Sequence, residues 1–177
     1  TMSTSACIAP AAAEESSMAQ AQALFETNFF GLMRVTQAVL PFMRQQKSGR
    51  IINIGSVLGF VPMPYMALYA ATKHAVAAYS ESLDHEVRTL GIRVSTVEPA
   101  YTNTGFEANV MAPDQPLGAY TEVRQSVTET EKKTMHKADS PDVVAAMIVQ
   151  AAQDLSPKIT YHPGMAKRVR FLRSVVP

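Results

Sequence analysis

Two short runs rich in β-branched residues alternate with two long amphipathic segments, and this order constrains the fold more than any other feature. Apolar positions recur every three or four residues from Ser17 to about residue 46, and again from Ala67 to Leu90. That spacing is the period of an amphipathic helix. The runs Arg50–Ser56 and Ile92–Val97 suit strands that are buried on both faces. Helices that alternate with buried strands predict parallel βα units.

The boundaries of these elements follow from proline and glycine. Pro41 interrupts the first helix late and Gly49 ends it, while Gly91 caps the second helix. A loop is predicted at 57–66, and a surface helix under a mobile loop at 120–137. A further helix follows at 140–155, then a short strand at 158–162 and a last helix at 165–176. We therefore predict a single domain over 1–177, with a three-layer, Rossmann-like α/β fold. Its parallel sheet is partial, with about three strands and helices on both faces.

Composition narrows the class of protein. The 16 basic and 15 acidic residues leave a net charge of +1, so the chain lacks the basic surface that indicates a nucleic-acid partner. The single cysteine, Cys7, excludes a disulfide framework and a cysteine zinc cluster, and we expect no metal site and a reducing, cytoplasmic location. Apolar runs are broken well before about 20 residues, so no membrane span is predicted.

Three side chains are spaced for acid–base chemistry. Tyr69 and Lys73 are four residues apart and share one face of the second helix, where an ammonium can lie beside a phenol. Such a neighbour favours the phenolate, so we expect the pKa of Tyr69 to be lowered toward neutrality. Ser56 closes the first strand, and ligands of open parallel sheets bind beyond the carboxyl ends of the strands. One site can therefore combine a proton donor, a cation and a hydroxyl.

At these motifs the sequence resembles the short-chain dehydrogenase/reductase family. The family carries a catalytic Ser, a Tyr-x-x-x-Lys pair and an upstream helix Asn. The matching segments of this chain, over roughly residues 14 to 176, are ETNFFG at 26–31, GRIINIGS at 49–56, YAATK at 69–73, GIRV at 91–94 and EPAYTNT at 98–104. The resemblance implies an NAD- or NADP-dependent oxidoreductase that interconverts a secondary alcohol and a ketone or aldehyde.

The same resemblance implies a role for each matching residue. Tyr69 would be the general acid/base, Lys73 would lower its pKa and bond the nicotinamide ribose, and Ser56 would polarise the carbonyl. Asn28 would bind a water that relays protons to Lys73. The residues that would line the nicotinamide and its diphosphate are Pro99, Tyr101, Thr102 and Thr104. Ala100 stands where the family usually has Gly.

The chain departs from the family at its front. Family members open with a strand and a Gly-rich turn that hold the pyrophosphate, and this sequence has no such turn. The adenosine half of the cofactor site is therefore absent from the sequence, and the choice between NAD and NADP stays open. Residues 4–8 are interpreted as a remnant or replacement of the family's Asn-Asn-Ala-Gly turn. The chain starts at Thr1 rather than Met and both ends look cut, so we expect a longer parent enzyme.

Several alternatives stay open beside this interpretation. A partial chain could act only as an interaction or oligomerisation module, without activity. Asn28 could be a buried polar residue bonded to backbone, and Cys7 lacks a base at any readable spacing. In the family, residues between the catalytic Ser and Tyr border the substrate. The apolar residues of this segment, among them Leu58, Met63 and Tyr65, therefore predict a small apolar alcohol or carbonyl substrate. Equally, these residues could belong to the hydrophobic core.

Two expectations concern surfaces. Without the strands that precede it in the family, the strand at 51–54 would have an open edge. In the family, paired long helices also form the dimer contact. For both reasons we expect a homodimer or higher oligomer. The last segment carries Lys158, Lys167, Arg168, Arg170 and Arg173 and no acidic residue. A basic amphipathic helix can lie on an anionic membrane, although a solvated helix face is the commoner explanation.

Overall fold

The computed structural model describes residues 6–104 and 110–176, and helices alternate with strands along them. The strands are β1 (Cys7–Ile8), β2 (Gly49–Ile54), β3 (Ile92–Val97), β4 (Val110–Met111) and β5 (Thr160–Tyr161). The α-helices are α1 (Met18–Phe25), α2 (Gly31–Gln46), α3 (Ala67–Val87), α4 (Thr121–Met135), α5 (Pro141–Gln153) and α6 (Met165–Val175). A π-helical turn at Glu26–Phe30 joins α1 to α2, and short 3-10 turns lie at Ala13–Glu15, Val57–Gly59, Arg88–Leu90 and Gly118–Tyr120.

The main sheet has three parallel strands in the order β2-β3-β5, as the sequence predicts. In the described part of the chain β2 pairs only with β3, so its outer edge is open. A second, two-stranded parallel sheet pairs β1 with β4, with Cys7 opposite Val110. The predicted remnant at residues 4–8 lies partly outside the described residues. The pairing of its described end with β4 was not predicted.

Helices cover both faces of the main sheet, which confirms the three layers. On one face a core forms between the sheet and α2 and α3, with the buried residues Ile51, Leu83, Val87, Ile92 and Val94. On the other face α5 packs against the sheet around Val97, Ala151 and Tyr161. Side chains alternate along β2, so Asn53 is buried beneath α3, where its amide donates to the Ser80 hydroxyl at 2.9 Å.

The first long helix begins where predicted and ends differently. Ser17 caps α1, and its hydroxyl accepts the Gln20 N–H at 3.1 Å. Pro41 lies inside α2 without ending it. Proline has no N–H to donate to the carbonyl of Gln37, but Gln37 is exposed, so water can bond to that carbonyl instead. The helix ends at Lys47 in the left-handed conformation (φ 53°), and Gly49 is already the first residue of β2.

Gly91 is required by both conformation and space. Its φ is +76°, and a Cβ there would lie 2.1 Å from the carbonyl oxygen of Lys47. A side chain would therefore force apart the two segments that lead into β2 and β3. This close approach starts the β2–β3 register, in which Gly49 lies opposite Ile92.

A buried carboxylate anchors the amino end of β3 to the end of α3. The Asp84 side chain is fully buried and accepts from the Arg93 side chain at 2.8 Å, from Arg88 at 2.6 Å and from the backbone N–H of Val94 at 2.9 Å. Burial alone would raise the pKa of Asp84, but these hydrogen bonds together lower it below the usual value. Asp84 thus stays ionised while it joins helix to strand.

Candidate active site

Tyr69 and Lys73 lie in the first turns of α3, where their spacing places them on one face. The Lys73 ammonium is 5.6 Å from the centre of the Tyr69 ring. Lys73 is only 2% exposed and donates to the carbonyl oxygen of Ile54 at 3.2 Å. Ile54 is the last residue of β2, so the pair lies at the carboxyl end of the sheet, the edge where ligands of such sheets bind.

Ser56 completes this group from the other side. It follows β2 directly, and its hydroxyl accepts the Leu58 N–H at 3.1 Å as the cap of the turn Val57–Gly59. The Ser56 side chain also lies near enough to Tyr69 to lower the pKa of its phenol. The structure therefore brings together Ser56, Tyr69 and Lys73, which the sequence placed in one site.

Asn28 lies in the π-helical turn between α1 and α2, and turns of this kind are frequent at functional sites. Its amide oxygen accepts the Ala6 N–H at 2.8 Å, and its amide nitrogen donates to the Ala6 carbonyl at 2.9 Å and to the Thr72 hydroxyl at 3.2 Å. The side chain thus ties the first described residues to α3, one position before Lys73. These contacts match the structural alternative for the side chain, and the water relay stays a prediction.

Burial controls the protonation of the central pair. It lowers the pKa of Lys73 to about 8 and raises the pKa of Tyr69 well above its usual value. Nearby Cys7 raises the Tyr69 pKa further, while the Ser56 side chain lowers it. The expected lowering toward neutrality is therefore wrong for this structure, because loss of water around the phenolate outweighs the stabilising contacts.

The loop after β3 approaches the same edge of the sheet. The N–H of Val57, next to Ser56, donates to the Pro99 carbonyl at 2.9 Å, so the two loops lie side by side. The Thr102 hydroxyl turns back to the Ala100 carbonyl at 3.1 Å, and Tyr101 is half-buried. Thr104, the last of the four predicted cofactor-lining residues, is exposed at the end of the described part of the loop.

The three predicted pocket residues follow Ser56 and are all half-buried. Tyr65 has a left-handed backbone conformation (φ 63°). Its ring packs edge-on against the ring of Tyr120, with the two ring centres 6.4 Å apart. It also borders a small pocket beside Tyr69 whose other wall is the segment 8–16. Leu58 and Met63 do not line this pocket.

Two titratable residues at the site were not expected there. Cys7 is buried, with a pKa raised to about 12 chiefly by burial, and its charge would interact with that of Lys73. Glu131 of α4 influences the pKa of Cys7 and of Tyr101, and its own pKa is raised by burial. Glu131 belongs to the half-buried face of α4, together with Val127 and Thr134 at helical spacing, so the predicted surface helix has an inner face toward the site.

A buried ion pair holds α4 against the start of the chain. The fully buried Glu15 carboxylate pairs with Arg124 and accepts the N–H groups of Ala12 at 2.8 Å and Leu117 at 2.7 Å. The same two segments are also joined by Ser17, whose N–H donates to Asp114 at 2.7 Å. We refer to these contacts, together with the β1–β4 pairing, as the seam between residues 6–20 and 110–135. The sequence carries no local signal for it, because its partners lie far apart along the chain.

Comparison with known proteins points to one family. The family model described as short chain dehydrogenase matches residues 2–115, a stretch that contains Asn28, Ser56, Tyr69 and Lys73. An uncharacterized oxidoreductase of Schizosaccharomyces pombe is 33% identical over 151 residues, which is 85% of this chain and 64% of the relative. The chain thus spans less than two thirds of the length of that relative.

Solved structures agree with this match. A short-chain dehydrogenase from Streptomyces avermitilis superposes with a TM-score of 0.81 at 29% identity, over 96% of this chain and 62% of the other. A gluconate 5-dehydrogenase from Burkholderia cenocepacia, solved in complex with NADP and tartrate, is 30% identical with a TM-score of 0.55, over 58% of this chain and 40% of the other. The fold and the sequence segment that the family model matches therefore point to the same family.

Proposed function

Because the chain belongs to the short-chain dehydrogenase family, we propose that it is an oxidoreductase that uses NAD or NADP to interconvert a secondary alcohol and its ketone or aldehyde. The observation that carries this proposal is the buried Lys73 ammonium beside the Tyr69 ring, with the Ser56 side chain near enough to lower the pKa of the phenol. Acid, cation and hydroxyl stand together at the carboxyl end of a parallel sheet, where a small ligand of this fold is expected.

Each side chain has a distinct task in carbonyl reduction. The nicotinamide, when bound, supplies the hydride that adds to the carbonyl carbon. The Tyr69 hydroxyl gives its proton to the carbonyl oxygen; the Ser56 side chain favours the resulting phenolate, and the Lys73 ammonium lies beside the ring. The Ser56 hydroxyl orients the same oxygen before transfer. In alcohol oxidation the phenolate takes the proton back.

The residues around the pair fit the nicotinamide half of the cofactor. A buried ammonium and a phenol are suitable donors for ribose hydroxyls, and both lie beside the loop that follows β3. We assign cofactor contacts to Tyr69 and Lys73, and to the loop residues Pro99, Tyr101, Thr102 and Thr104.

The proposed substrate is a small, largely apolar alcohol or carbonyl compound. Support comes from the half-buried apolar segment between Ser56 and Tyr69, which includes Leu58, Met63 and Tyr65. Hydrophobic walls with a few convergent polar groups are typical of sites for such ligands.

Titration of NADH and of NADPH with the chain, followed by nicotinamide fluorescence, tests cofactor binding. We expect saturation at high cofactor concentration. A failure to bind either cofactor would reject the oxidoreductase and favour the alternative of an interaction module.

Turnover tests the chemistry separately. Oxidation of the reduced cofactor in the presence of a panel of ketones should require Tyr69, so Tyr69→Phe should retain cofactor binding and lose at least about a hundredfold in rate. Tyr79→Phe is the matched control, because Tyr79 is a partly buried ring that packs in the core between α3 and the sheet. Equal rates for the two variants would contradict the role of Tyr69.

We further propose that the chain forms at least a homodimer and is cytoplasmic. The edge of β2 that no described strand covers and the exposed apolar side chains of Val35 and Phe42 on α2 support self-association. The lone buried Cys7 suits a reducing compartment. A monomer by light scattering at high protein concentration would contradict the dimer.

A further inference from the structure

Helix α6 leaves most of its apolar side uncovered. Phe171, Leu172 and Val175 are 67%, 57% and 59% exposed, and Val176, which caps the helix, is 58% exposed. Phe171 and Val175 are four residues apart, and so are Leu172 and Val176. The two pairs are adjacent, so the four side chains occupy one side of the helix. Isolated exposed apolar residues are normal, whereas a contiguous group indicates a surface that binds something.

The rest of α6 is strongly basic. Lys167, Arg168, Arg170 and Arg173 lie on this helix, and no acidic residue occurs anywhere from 158 to 176. The Arg170 guanidinium lies over the Phe60 ring at 5.2 Å, while the other three side chains project from exposed positions. By helical spacing Arg168 lies within the apolar side, three and four residues before Phe171 and Leu172, and Lys167 lies beside it. An exposed helix side that combines apolar residues with Lys and Arg suits the surface of an anionic bilayer.

We propose that α6 docks the protein onto the surface of an anionic phospholipid membrane. A second copy of this chain would bring like charges together if it paired through α6, and a nucleic acid would leave Phe171 and Leu172 without apolar contact. An anionic bilayer satisfies both properties, since its phosphates attract the basic residues and its acyl boundary accepts the apolar ones.

Docking would be peripheral. Among the helices of residues 6–104 and 110–176, none has the length and apolar character needed to cross a bilayer. The anionic leaflet of a cell membrane faces the cytoplasm, which agrees with the location proposed above.

The position of α6 would direct the candidate active site toward the membrane. Asp139 accepts the N–H of Met165, the first residue of α6, at 2.9 Å, and its backbone exchanges hydrogen bonds with Tyr101 and Asn103 at 3.0 Å. The helix also packs against the turn that follows Ser56. If the proposed function holds, an apolar substrate dissolved in the bilayer would enter beside these loops; docking itself does not depend on that function.

A single tryptophan reports the docking directly. The chain has no Trp, so Phe171→Trp creates one reporter on the exposed side of α6. We expect its emission to shift to the blue with vesicles of phosphatidylcholine and phosphatidylserine, and to shift much less with phosphatidylcholine alone. An unchanged spectrum with anionic vesicles at low salt would overturn the proposal.

Vesicle sedimentation with paired variants separates docking from general charge attraction. Lys167→Gln with Arg168→Gln should weaken binding by about 25-fold, or about fivefold for each charge. The control, Lys132→Gln with Lys133→Gln on α4, removes the same charge from exposed positions and should bind like the parent chain. Equal losses from the two pairs would overturn docking through α6.

The apolar contribution is tested in the same way. Phe171→Ser with Leu172→Ser should weaken binding at least about tenfold, while Val143→Ser with Val149→Ser, exposed on α5, should not. Unchanged thermal midpoints confirm that each variant is folded. If Phe171→Ser with Leu172→Ser leaves vesicle binding intact but abolishes a dimer, or if an oligonucleotide binds as tightly as vesicles, the occupant of α6 is not a membrane and the proposal fails.

Discussion

The Lys73 ammonium donates to the Ile54 carbonyl oxygen across 3.2 Å and so joins the helix that carries the tyrosine to the end of β2. This contact holds a cation in a place that is almost closed to water, since the side chain is 2% exposed. The cost of that burial can be measured through its effect on stability.

Replacement of Lys73 by Met should change how stability depends on pH. Burial lowers the pKa of Lys73 from 10.5 to about 8, so the unfolded chain binds one proton more than the folded chain between these values, and stability rises with pH across that window. At neutral pH the charged state costs about 3 kcal/mol. Lys73→Met should therefore remove the rise. Urea unfolding at about pH 7 and about pH 9.5 compares the two proteins; a parallel rise in both would contradict the assignment.

Removal of Arg124 should loosen the seam. Arg124→Met leaves the Glu15 carboxylate fully buried without its cation, which should lower the free energy of unfolding by about 3 kcal/mol. Arg34→Met is the matched control, because the Arg34–Glu26 pair is exposed (61% and 57%) and should contribute less than about 1 kcal/mol. Urea denaturation measures both. Equal effects would show that burial does not strengthen the Glu15 pair.

Acid should weaken the attachment of α3 to β3. The pKa of Asp84 is lower in the folded chain than in the unfolded chain, so its contribution to stability is complete above its ordinary value of 3.8 and is lost as pH falls below it. Asp84→Asn should be less stable than the parent at neutral pH and should lose less stability on acidification. Thermal midpoints followed from neutral to strongly acidic pH test this; identical acid profiles would exclude the role of Asp84.

Cys7 should be an inert thiol in the folded chain. Its Sγ is buried, donates to the Ile8 carbonyl at 3.2 Å and has a pKa of about 12. Because only the thiolate reacts, alkylation by iodoacetamide at about pH 8 should be about a thousandfold slower than in the unfolded chain. Mass spectrometry of timed samples, with and without denaturant, gives both rates. Rapid labelling without denaturant would mean that the start of the chain does not stay in place.

Local patterns were sufficient to predict much of the fold. The helical period, the caps and the β-branched runs located α3, β2 and β3. Ser140 located the start of α5, and its hydroxyl accepts the Asp142 N–H at 3.3 Å. The boundary errors have local causes as well. Pro41 is tolerated because the carbonyl it leaves without a partner faces water, and Lys47 adopts the left-handed conformation that Gly more often supplies.

The site was predicted in part. The spacing of Tyr69 and Lys73 fixes their shared helix face, and the strand end brings Ser56 to them. Cys7 and Glu131 were missed because they come from segments far away in sequence, and nothing local places them at the site. The protonation of Tyr69 was predicted in the wrong direction, since spacing reveals a neighbouring cation but not how much water surrounds the phenol.

The seam joins parts of the chain that are 97 residues apart at Ser17 and Asp114 and 109 apart at Glu15 and Arg124. Closing loops of that size costs entropy before any contact repays it, whereas β2, α3 and β3 are neighbours along the chain. Assembly should therefore begin with β2, α3 and β3 and finish at the seam. The seam should also be the first unit to open in the native state, so the Ala9 amide, bonded to Met111, should exchange its hydrogen long before that of Val94. Access to Tyr69 from this side would then be set by a small local opening, while the rest of the domain stays folded.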